Sequence, residues 1–274
     1  MQQQGLDLRV KALASGSSAN AILIECAAGA LLVDAGLSAR QLQQWLREHT
    51  AYGAPLLGLL ITHEHSDHIL GADVLARQTG APLVTTPGTL NQLRLQKRTP
   101  CRPLAPGSSV SVGPFEIYAF PVPHDAAQPV GFHISLERWR VGIATDLGHC
   151  TPHVYEALRR THLTIIEANH DRARLHSCGY PAVLKKRIGG DTGHLANEQT
   201  ALFLQALADE DQDRWVWLAH LSEENNHPSI ARKAMDRHFA LLHRILPFDV
   251  QVAERDRPSV EWDTRSLFRQ RALF

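Results

Sequence analysis

The sequence predicts an α/β protein in which two β-sheets pack face to face between outer layers of helices, a four-layer αββα sandwich. Segments with strand and helix patterns alternate in the first and last thirds of the chain. The middle third is rich in strands, and no Pro/Gly/Ser-rich linker separates the two halves. We therefore expect residues 1–274 to form a single domain, with a polar, peripheral tail at residues 255–274.

The first third of the chain predicts five short strands and three helices. Apolar stretches bounded by turn residues place the strands at Leu8–Leu13, Ala21–Ile24, Ala30–Val33, Leu56–Ile61 and Pro82–Thr85. Helical periodicity places helices at Ala39–Glu48 and near Ile69–Gln78. A short third helix is expected after Pro87, because proline is favoured in the first turn of a helix.

The middle of the chain predicts consecutive strands, and the last third returns to alternation. The middle strands are Val110–Val112, Phe115–Phe120, Val130–Leu136 and Arg140–Ala144. Strands at Leu163–Glu167, Trp215–Ala219 and Asp249–Val252 follow, with helices at Pro152–Arg160, Pro181–Arg187, Asn197–Leu207 and Ser229–Leu242.

Composition excludes several classes of protein. The chain carries 28 Lys and Arg against 28 Asp and Glu, so any polyanion site must be local. The start of the chain lacks a signal-peptide pattern, and no apolar run approaches the ~20 residues that span a bilayer. The four cysteines form no C-x-x-C pair. We expect a cytoplasmic protein with no membrane partner.

The strongest motif is His63-Glu64-His65-Ser66-Asp67-His68, which follows the predicted strand Leu56–Ile61 directly. His63 and His65 alternate with Glu64, so both imidazoles can face one metal ion, and Asp67 and His68 can reach a second ion beside it. A histidine-rich surface turn is the alternative. It is disfavoured because chance rarely supplies this spacing after a strand.

This motif resembles that of the metallo-β-lactamase superfamily, which has the αββα fold. The resemblance extends along most of the chain, because candidates for the later ligands occur in order at predicted strand ends. It implies that His63, His65 and His124 bind one metal ion, that Asp67, His68 and His220 bind a second, and that Asp146 bridges both. It also implies that Asp34 orients the histidine loop.

The same loop bears on the metals. The di-iron redox branch of the superfamily has a carboxylate at the position of His65, so hydrolysis is favoured over electron transfer. Nitrogen-rich ligation suits zinc, whereas the two aspartates also suit manganese. The expected cofactors are two divalent ions, either Zn²⁺ or Mn²⁺.

Four further segments resemble the YycJ/WalJ group of bacterial DNA exonucleases. They are Ser15–Asn20, Glu167–Asp171, Gly193–Asn197 and Leu218–Asn226, with Ala19 and Ala196 replacing the Gly and Ser expected there. The resemblance implies a dinuclear phosphodiesterase that degrades DNA from the 5′ end through attack of a metal-activated hydroxide on phosphorus. Asp67 would orient the hydroxide, and His194, held by Glu167, would either hydrogen-bond the scissile phosphate or protonate the departing 3′ oxygen.

Other functions stay open. The spacing between Asp146 and His194 is too short for the insert of RNA-processing β-CASP nucleases, and no arm for clamping tRNA is evident. An RNA-processing nuclease, or a small-molecule hydrolase of phosphodiesters, lactones or thioesters, would need the same metals. A catalytically silent binding protein is disfavoured by the complete ligand set. The oligomeric state is open.

Eight residues are candidate substrate contacts. Ser15, Ser17 and Asn20 would hold either substrate phosphate or the metal loop, unless they only form a tight turn. The basic triplet Lys185–Lys186–Arg187 would face a phosphate backbone near the metals, with a solvated helix face as the alternative. The remaining candidates are Asn169 and Asn225.

Overall fold

The computed structural model describes residues 6–210 and 213–271, so Met1–Gly5 and the end of the polar tail lie outside the described part. It contains fourteen strands within those ranges. In chain order they are β1 Arg9–Gly16, β2 Ala19–Cys26, β3 Gly29–Val33, β4 Leu56–Leu60, β5 Leu83–Thr85, β6 Cys101–Pro103, β7 Ser109–Val112, β8 Phe115–Pro121, β9 Val130–Leu136, β10 Trp139–Ala144, β11 Leu163–Glu167, β12 Trp215–Ala219, β13 Asp249–Val252 and β14 Glu261–Asp263.

Ten helices lie within the same ranges. They are α1 Ala39–His49, α2 Ser66–Ile69, α3 Ala72–Thr79, α4 Pro87–Gln92, α5 Pro152–Leu158, α6 Arg172–Ser177, α7 Ala182–Ile188, α8 Asn197–Leu207, α9 Pro228–Leu241 and α10 Thr264–Arg271. None of these helices is both long and apolar enough to cross a membrane.

The strands form two sheets of seven. The first sheet has the order β14-β1-β2-β3-β4-β5-β6, and the second has the order β13-β12-β11-β10-β9-β8-β7. Each sheet combines an antiparallel part with a parallel part: β3 to β6 run parallel in the first, and β10 to β13 run parallel in the second. The parallel strands of each sheet therefore end at a common edge.

Three apolar clusters hold the layers together. The largest joins the two sheets, with Phe115, Phe132 and Trp217 among its fully buried side chains. A second cluster packs helices α5, α8 and α9 on the second sheet, and a third packs α1 and α3 on the first. Two sheets between two helical layers make an αββα sandwich, which confirms the predicted fold class.

Some elements differ from the sequence prediction. The helix expected near Ile69–Gln78 is divided into α2 and α3 at Gly71, where a β-carbon would lie 2.4 Å from the Leu37 carbonyl oxygen. The tail is more integrated than its polar composition predicts, because β14 pairs with β1 and Trp262 is 3% exposed. Polar residues flank this single tryptophan in β14, so the sequence shows no apolar pattern that would predict the strand.

Candidate metal centre

The predicted ligands meet at the edge where the parallel strands of both sheets end. His63 follows β4 in the first sheet. His124, Asp146 and His220 follow β8, β10 and β12 in the second sheet. Because strands that run parallel end at the same edge, side chains distant in sequence converge on one site. The site is therefore built by both sheets.

Three residues at the strand ends beside the metal site have left-handed backbone. Asp34, Asp146 and His220 have φ angles of 59°, 57° and 55°. Residues other than glycine adopt this conformation rarely, and holding one there costs about 1–3 kcal/mol. Aspartate tolerates it better than most residues. Backbone strain of this kind is typical of functional sites. The left-handed conformation turns these side chains across the strand ends.

A close approach of the chain also shapes the histidine loop. A β-carbon on Gly36 would lie 1.7 Å from the Asp67 carbonyl oxygen, so only glycine fits there. Thr62 precedes His63, and its hydroxyl lies 3.0 Å from both carboxylate oxygens of Asp34. Asp34 and Gly36 thus fix the loop from the neighbouring strand end.

His63, His65 and His124 form a first group, which we call the nitrogen pocket. His63 Nε2 lies 3.0 Å from His65 Nδ1, which lies 3.2 Å from His124 Nε2. Two nitrogens bound tetrahedrally to zinc at about 2.0–2.1 Å are about 3.3 Å apart. Burial lowers the pKa of His63 well below its usual value and lowers that of His124, which favours the neutral imidazole that ligates metal.

Asp67, His68, Asp146 and His220 form a second group, which we call the carboxylate pocket. His68 Nε2 lies 3.3 Å from Asp67 Oδ2 and 3.2 Å from Asp146 Oδ2. His220 Nε2 lies 3.5 Å from Asp67 Oδ2 and 3.4 Å from Asp146 Oδ1. Asp146 therefore lies between both histidines, and it also lies 3.9 Å from His124 of the nitrogen pocket.

Four histidines are held from behind by their second ring nitrogen. The Nδ1 atoms of His63, His68, His124 and His220 lie 2.8–3.1 Å from Thr62 Oγ1, Asp34 Oδ2, the Gly193 carbonyl and Glu167 Oε1 respectively. Metal-ligating histidines are usually fixed this way, which leaves the lone pair of the other nitrogen for the ion. His65 is arranged differently, since its Nδ1 faces the cluster.

Divalent cations fit this donor set. Asp146 Oδ2 is buried and has no hydrogen bond of acceptable geometry among the described residues, although His68 Nε2 lies nearby. Buried polar atoms nearly always have a partner, so this unpaired oxygen indicates a binding site. A carboxylate surrounded by imidazole nitrogens suits a divalent cation. Groups of ligand atoms from both pockets lie within 4.8 Å of one another.

Protonation balances charge in the carboxylate pocket. Burial lowers the pKa of His220, but the charge of Asp146 and the hydrogen bonds to Asp67 and Glu167 outweigh it and raise that pKa to about 10. The charges of Asp146 and Asp34 likewise raise the pKa of His68 well above its usual value despite its burial. Cations and protons thus compete for the same nitrogens, and metal binding would release protons.

Glu167 and His194 form a pair beside the carboxylate pocket. Glu167 Oε1 lies 2.8 Å from Nδ1 of both His194 and His220, and its Oε2 accepts hydrogen bonds from the backbone N–H groups of Leu147 and Leu195. Although burial opposes it, the positive charge of His194 lowers the pKa of Glu167 to about 2. That carboxylate raises the pKa of His194 against the effect of burial. Glu167 therefore orients His194 and favours its charged form.

His194 lines a cavity of about 410 Å³, which we call the metal-side cleft. Ser17, Asn169, Tyr180 and Arg255 are among its other lining residues. Sequence analysis missed Tyr180 and Arg255. Arg255 follows the end of β13, so the rule that identified the ligands at strand ends extends to it.

The predicted substrate contacts near the metals fall into two groups, those that hold metal ligands and those that line the cleft. Ser15 is buried, and its hydroxyl accepts the backbone N–H of His220 at 3.0 Å. Asn20 Nδ2 lies 3.1 Å from His68 Nε2, and Asn169 Nδ2 donates to the His220 carbonyl at 2.9 Å. Ser15 and Asn20 thus hold the ligands. Ser17, which is exposed, and Asn169, which is buried, line the cleft. Asn225 is 0% exposed, so the structure contradicts a substrate contact there.

The basic triplet does not act as one patch. Arg187 Nε donates to Asp125 Oδ2 at 2.6 Å, while Lys185 and Lys186 line a separate cavity. Consecutive helical residues point about 100° apart, so three of them cannot face one surface. Neither lysine lines the metal-side cleft, which corrects their predicted position close to the metals.

Comparisons with known proteins add to the geometry. The sequence profile described as a beta-lactamase superfamily domain matches residues 30–220, a range that contains every candidate ligand. The exodeoxyribonuclease YycJ of Bacillus anthracis is 33% identical over 238 residues, covering 85% of this chain and 89% of the relative. The exodeoxyribonuclease WalJ of Streptococcus pneumoniae serotype 2 is 35% identical over 230 residues, covering 81% and 85%.

Solved structures share the fold. The metallo-beta-lactamase fold protein YhfI from Bacillus subtilis aligns with a TM-score of 0.68 and 18% identity over 94% of this chain and 99% of that one. The short form of human tRNase Z aligns with a TM-score of 0.61 and 16% identity over 92% and 98%. At these identities the similarity supports the αββα architecture alone.

Proposed function

The chain belongs to the beta-lactamase superfamily, in the group of the YycJ and WalJ exodeoxyribonucleases, and from this membership we propose that it degrades DNA from the 5′ end. It is a metal-dependent hydrolase of the nuclease or phosphodiesterase type, and it uses divalent metal ions. The observation that carries the proposal is the Glu167–His194 pair, which lies beside the carboxylate pocket and lines the cleft. Location in the cytoplasm stays a prediction.

The proposed ligands divide between two ions. His63, His65 and His124 would hold the first, Asp67, His68 and His220 the second, and Asp146 both. Three nitrogens suit zinc, and the aspartates make manganese compatible with the second position. When bound, the ions supply a hydroxide at neutral pH and offset negative charge on the phosphoryl oxygens.

His194 carries the proton chemistry in this proposal. Its Nδ1 is engaged by Glu167, so Nε2 is the nitrogen left to face a substrate. The carboxylate of Glu167 raises the pKa of His194 and so favours a proton on the ring, and in this proposal that proton passes to the 3′ oxygen as its bond to phosphorus breaks. Asp67, at the mouth of the carboxylate pocket, orients the nucleophile.

The metal-side cleft supports removal of one nucleotide at a time. Pockets of about 300–1,000 Å³ accommodate small ligands, and the cleft has about 410 Å³. The released nucleotide would lie beside Tyr180, whose ring offers a stacking surface for a base, and Arg255, whose guanidinium suits a phosphate.

An end-labelled duplex tests the polarity. With Mn²⁺ or Zn²⁺ present, a 5′ label should appear in mononucleotides at the earliest times, while a 3′ label should stay in a strand that shortens gradually. Precursor tRNA, a simple phosphodiester and a lactone are compared in parallel. If neither labelled DNA strand is degraded, or if another substrate is strongly preferred, the proposal is wrong.

His194→Ala tests the proton donor. We expect turnover to fall about 10²-fold or more with metal content unchanged, because general acid catalysis is lost while the ligands stay in place. His149→Ala is the matched control, since it removes an exposed histidine from the neighbouring loop. Wild-type turnover in His194→Ala at full metal content would exclude this role.

A further inference from the structure

Helix α7 separates the metal-side cleft from a second cavity. Leu184 and Ile188 line the cleft that contains His194. Lys185 and Lys186 line the other cavity, of about 370 Å³. No residue of α7 is buried, and Val183 is 82% exposed on the remaining side of the helix. The helix therefore stands as a ridge between two open grooves.

The second cavity is basic. Arg172, His176, Lys185, Lys186 and Gln199 line it, and the described lining residues include no carboxylate. Three of these side chains have other contacts. Lys185 Nζ donates to the His176 carbonyl at 2.6 Å, Arg172 Nε lies 3.9 Å from Glu198 Oε2, and the Gln199 amide bonds to the Ala196 N–H and the Gly148 carbonyl. The arginine and glutamate are both more than half exposed, so that ion pair is weak. The cavity keeps an excess of positive charge.

His170 lines the same cavity and supplies an independent sign of a ligand. Its residue is 2% exposed, and its Nδ1 has no hydrogen-bond partner among the described residues. Buried polar atoms are nearly always paired, so an unpaired one in a cavity indicates a group that binds there. The preceding residue, Asn169, lines the metal-side cleft. Consecutive residues therefore line the two cavities, which lie on opposite sides of this backbone segment.

We propose that the cavity of His170, Arg172, His176, Lys185, Lys186 and Gln199, the second-strand groove, binds the backbone of the DNA strand that is not being cleaved. Clustered lysine and arginine side chains bind phosphate backbones without regard to sequence. This inference rests on the proposed function, because it assumes that a DNA strand end enters the metal-side cleft.

The position of α7 assigns the groove to the second strand. The cleaved phosphate must reach His194, so the cleaved strand occupies the metal-side cleft. To enter the second-strand groove as well, that strand would have to pass over or around α7, whose outward side chain Val183 is apolar and offers a backbone no hydrogen bond. A complementary strand that separates from the cleaved strand reaches the groove from the other side without this crossing.

Binding without cleavage tests the groove. Fluorescence anisotropy with phosphorothioate DNA, which resists cleavage while the metal ions stay bound, compares a labelled single strand with the same strand in a forked duplex, for wild type and for Lys185→Ala/Lys186→Ala. Loss of two phosphate contacts should raise the Kd of the duplex about tenfold, and should lower its salt slope by about two. The Kd of the single strand should change by less than about twofold, because that strand lies in the other groove.

Lys97→Ala/Arg98→Ala is the matched control, since it removes two positive charges at exposed positions elsewhere. Its Kd for the duplex should stay near the wild-type value. Equal weakening of both DNA forms in the lysine variant, no weakening of either, or an equal effect of the control would overturn the assignment. If wild type degrades no unmodified DNA once metal is added, the proposed function fails, whereas the binding comparison still decides on the groove.

Discussion

Two charge clusters lie at opposite ends of strand β1, and they differ in how completely their atoms are paired. The metal centre lies beyond the end of β1 at Gly16. The other, which we call the structural charge cluster, consists of Arg9, Lys11, Glu25 and Glu261 near the start of the same strand. At 3.3 Å per residue, β1 separates them by about 20 Å.

Each charge in the structural cluster has a partner. Arg9 forms an ion pair with Glu25, donates to the His49 carbonyl at 2.6 Å, and holds both carboxylate oxygens of Glu261 at 2.9 Å and 2.7 Å. Lys11 Nζ lies 3.0 Å from Glu261 Oε2. In the metal centre, by contrast, histidine nitrogens crowd together and Asp146 Oδ2 has no hydrogen bond.

The difference separates charges that stabilise the fold from charges arranged for a ligand. A buried network that is complete needs nothing further, whereas crowded lone pairs and an unpaired carboxylate oxygen are tolerated only where something binds. Left-handed backbone at Asp34, Asp146 and His220 accompanies the incomplete network. Substitutions in the first cluster should therefore affect stability, and those in the second should affect activity.

Asp146→Asn should have the largest effect. Removing the charge shared by both metal positions is expected to reduce turnover at least about 10⁴-fold and to lower metal content below two ions per chain. Turnover and elemental analysis measure the two effects. A variant that keeps two ions and turnover within tenfold of wild type would remove Asp146 from the bridging position.

Arg9→Met should affect stability instead. It leaves the carboxylate of Glu25 buried without a cation, which should lower the free energy of unfolding by about 3–5 kcal/mol. Turnover per folded molecule and metal content should not change. Urea unfolding measures the loss, and Arg9→Met/Glu25→Gln should recover much of it. Reduced metal content in the folded single variant would contradict the separation of the clusters.

Asp34→Asn should have an intermediate effect that is largest in the carboxylate pocket. Asparagine tolerates left-handed backbone, so the fold should be kept while the carboxylate that holds His68 Nδ1 is neutralised. Loss of such a partner typically costs 10–100-fold in metal affinity, so we expect about that loss in the carboxylate pocket. Metal titration should show the larger loss in the carboxylate pocket and a smaller one in the nitrogen pocket, because Asp34 also holds the Thr62 hydroxyl that lies against His63. Equal weakening of both would indicate that the pockets are not independent.

Glu261→Gln should have the smallest effect. The hydrogen bond from Arg9 lowers the pKa of Glu261 to about 2, so the charged pair stabilises the protein above the unfolded pKa of about 4.3 and is lost as pH falls towards 2. Because the side chain is 38% exposed, solvent screening limits the contribution to about 0.5–1 kcal/mol. Urea unfolding across this pH range should show the wild-type advantage disappear on acidification. A difference that persists at the lowest pH would have another cause.

The sequence predicted the sheets because their signals are local. Apolar runs such as Leu163–Glu167 and Trp215–Ala219 are read directly from neighbouring residues, and both coincide with observed strands. The short strands β6 and β14 were not predicted, because three residues carry no periodicity and their pairing depends on distant partners. Helix α6 was also missed, although Asp171 caps it and offered a signal.

The candidate ligands were identified through the resemblance to the superfamily, which requires a His, an Asp and a His at strand ends, and the apolar strands show where those ends fall. Residues that depend on side-chain direction could not be placed this way. Asn225 lies close to His220 in sequence but is fully buried, and Lys185 and Arg187 share a helix but face different surfaces. Tyr180 reaches the metal-side cleft from a segment with no motif, whereas the position of Arg255 shortly after β13 was a signal that the sequence offered.

The origin of the ligands in both sheets has a consequence for how the protein can be studied. Because the ligands of each ion come from both sheets, as the positions of His63 and His220 show, bound ions would cross-link the two halves of the sandwich. Unfolding must therefore release the ions. An ion at a hundred times its dissociation constant adds about 2.7 kcal/mol per site to the free energy of unfolding. The melting temperature measured against metal concentration therefore gives a titration curve for each metal. This measurement needs no substrate.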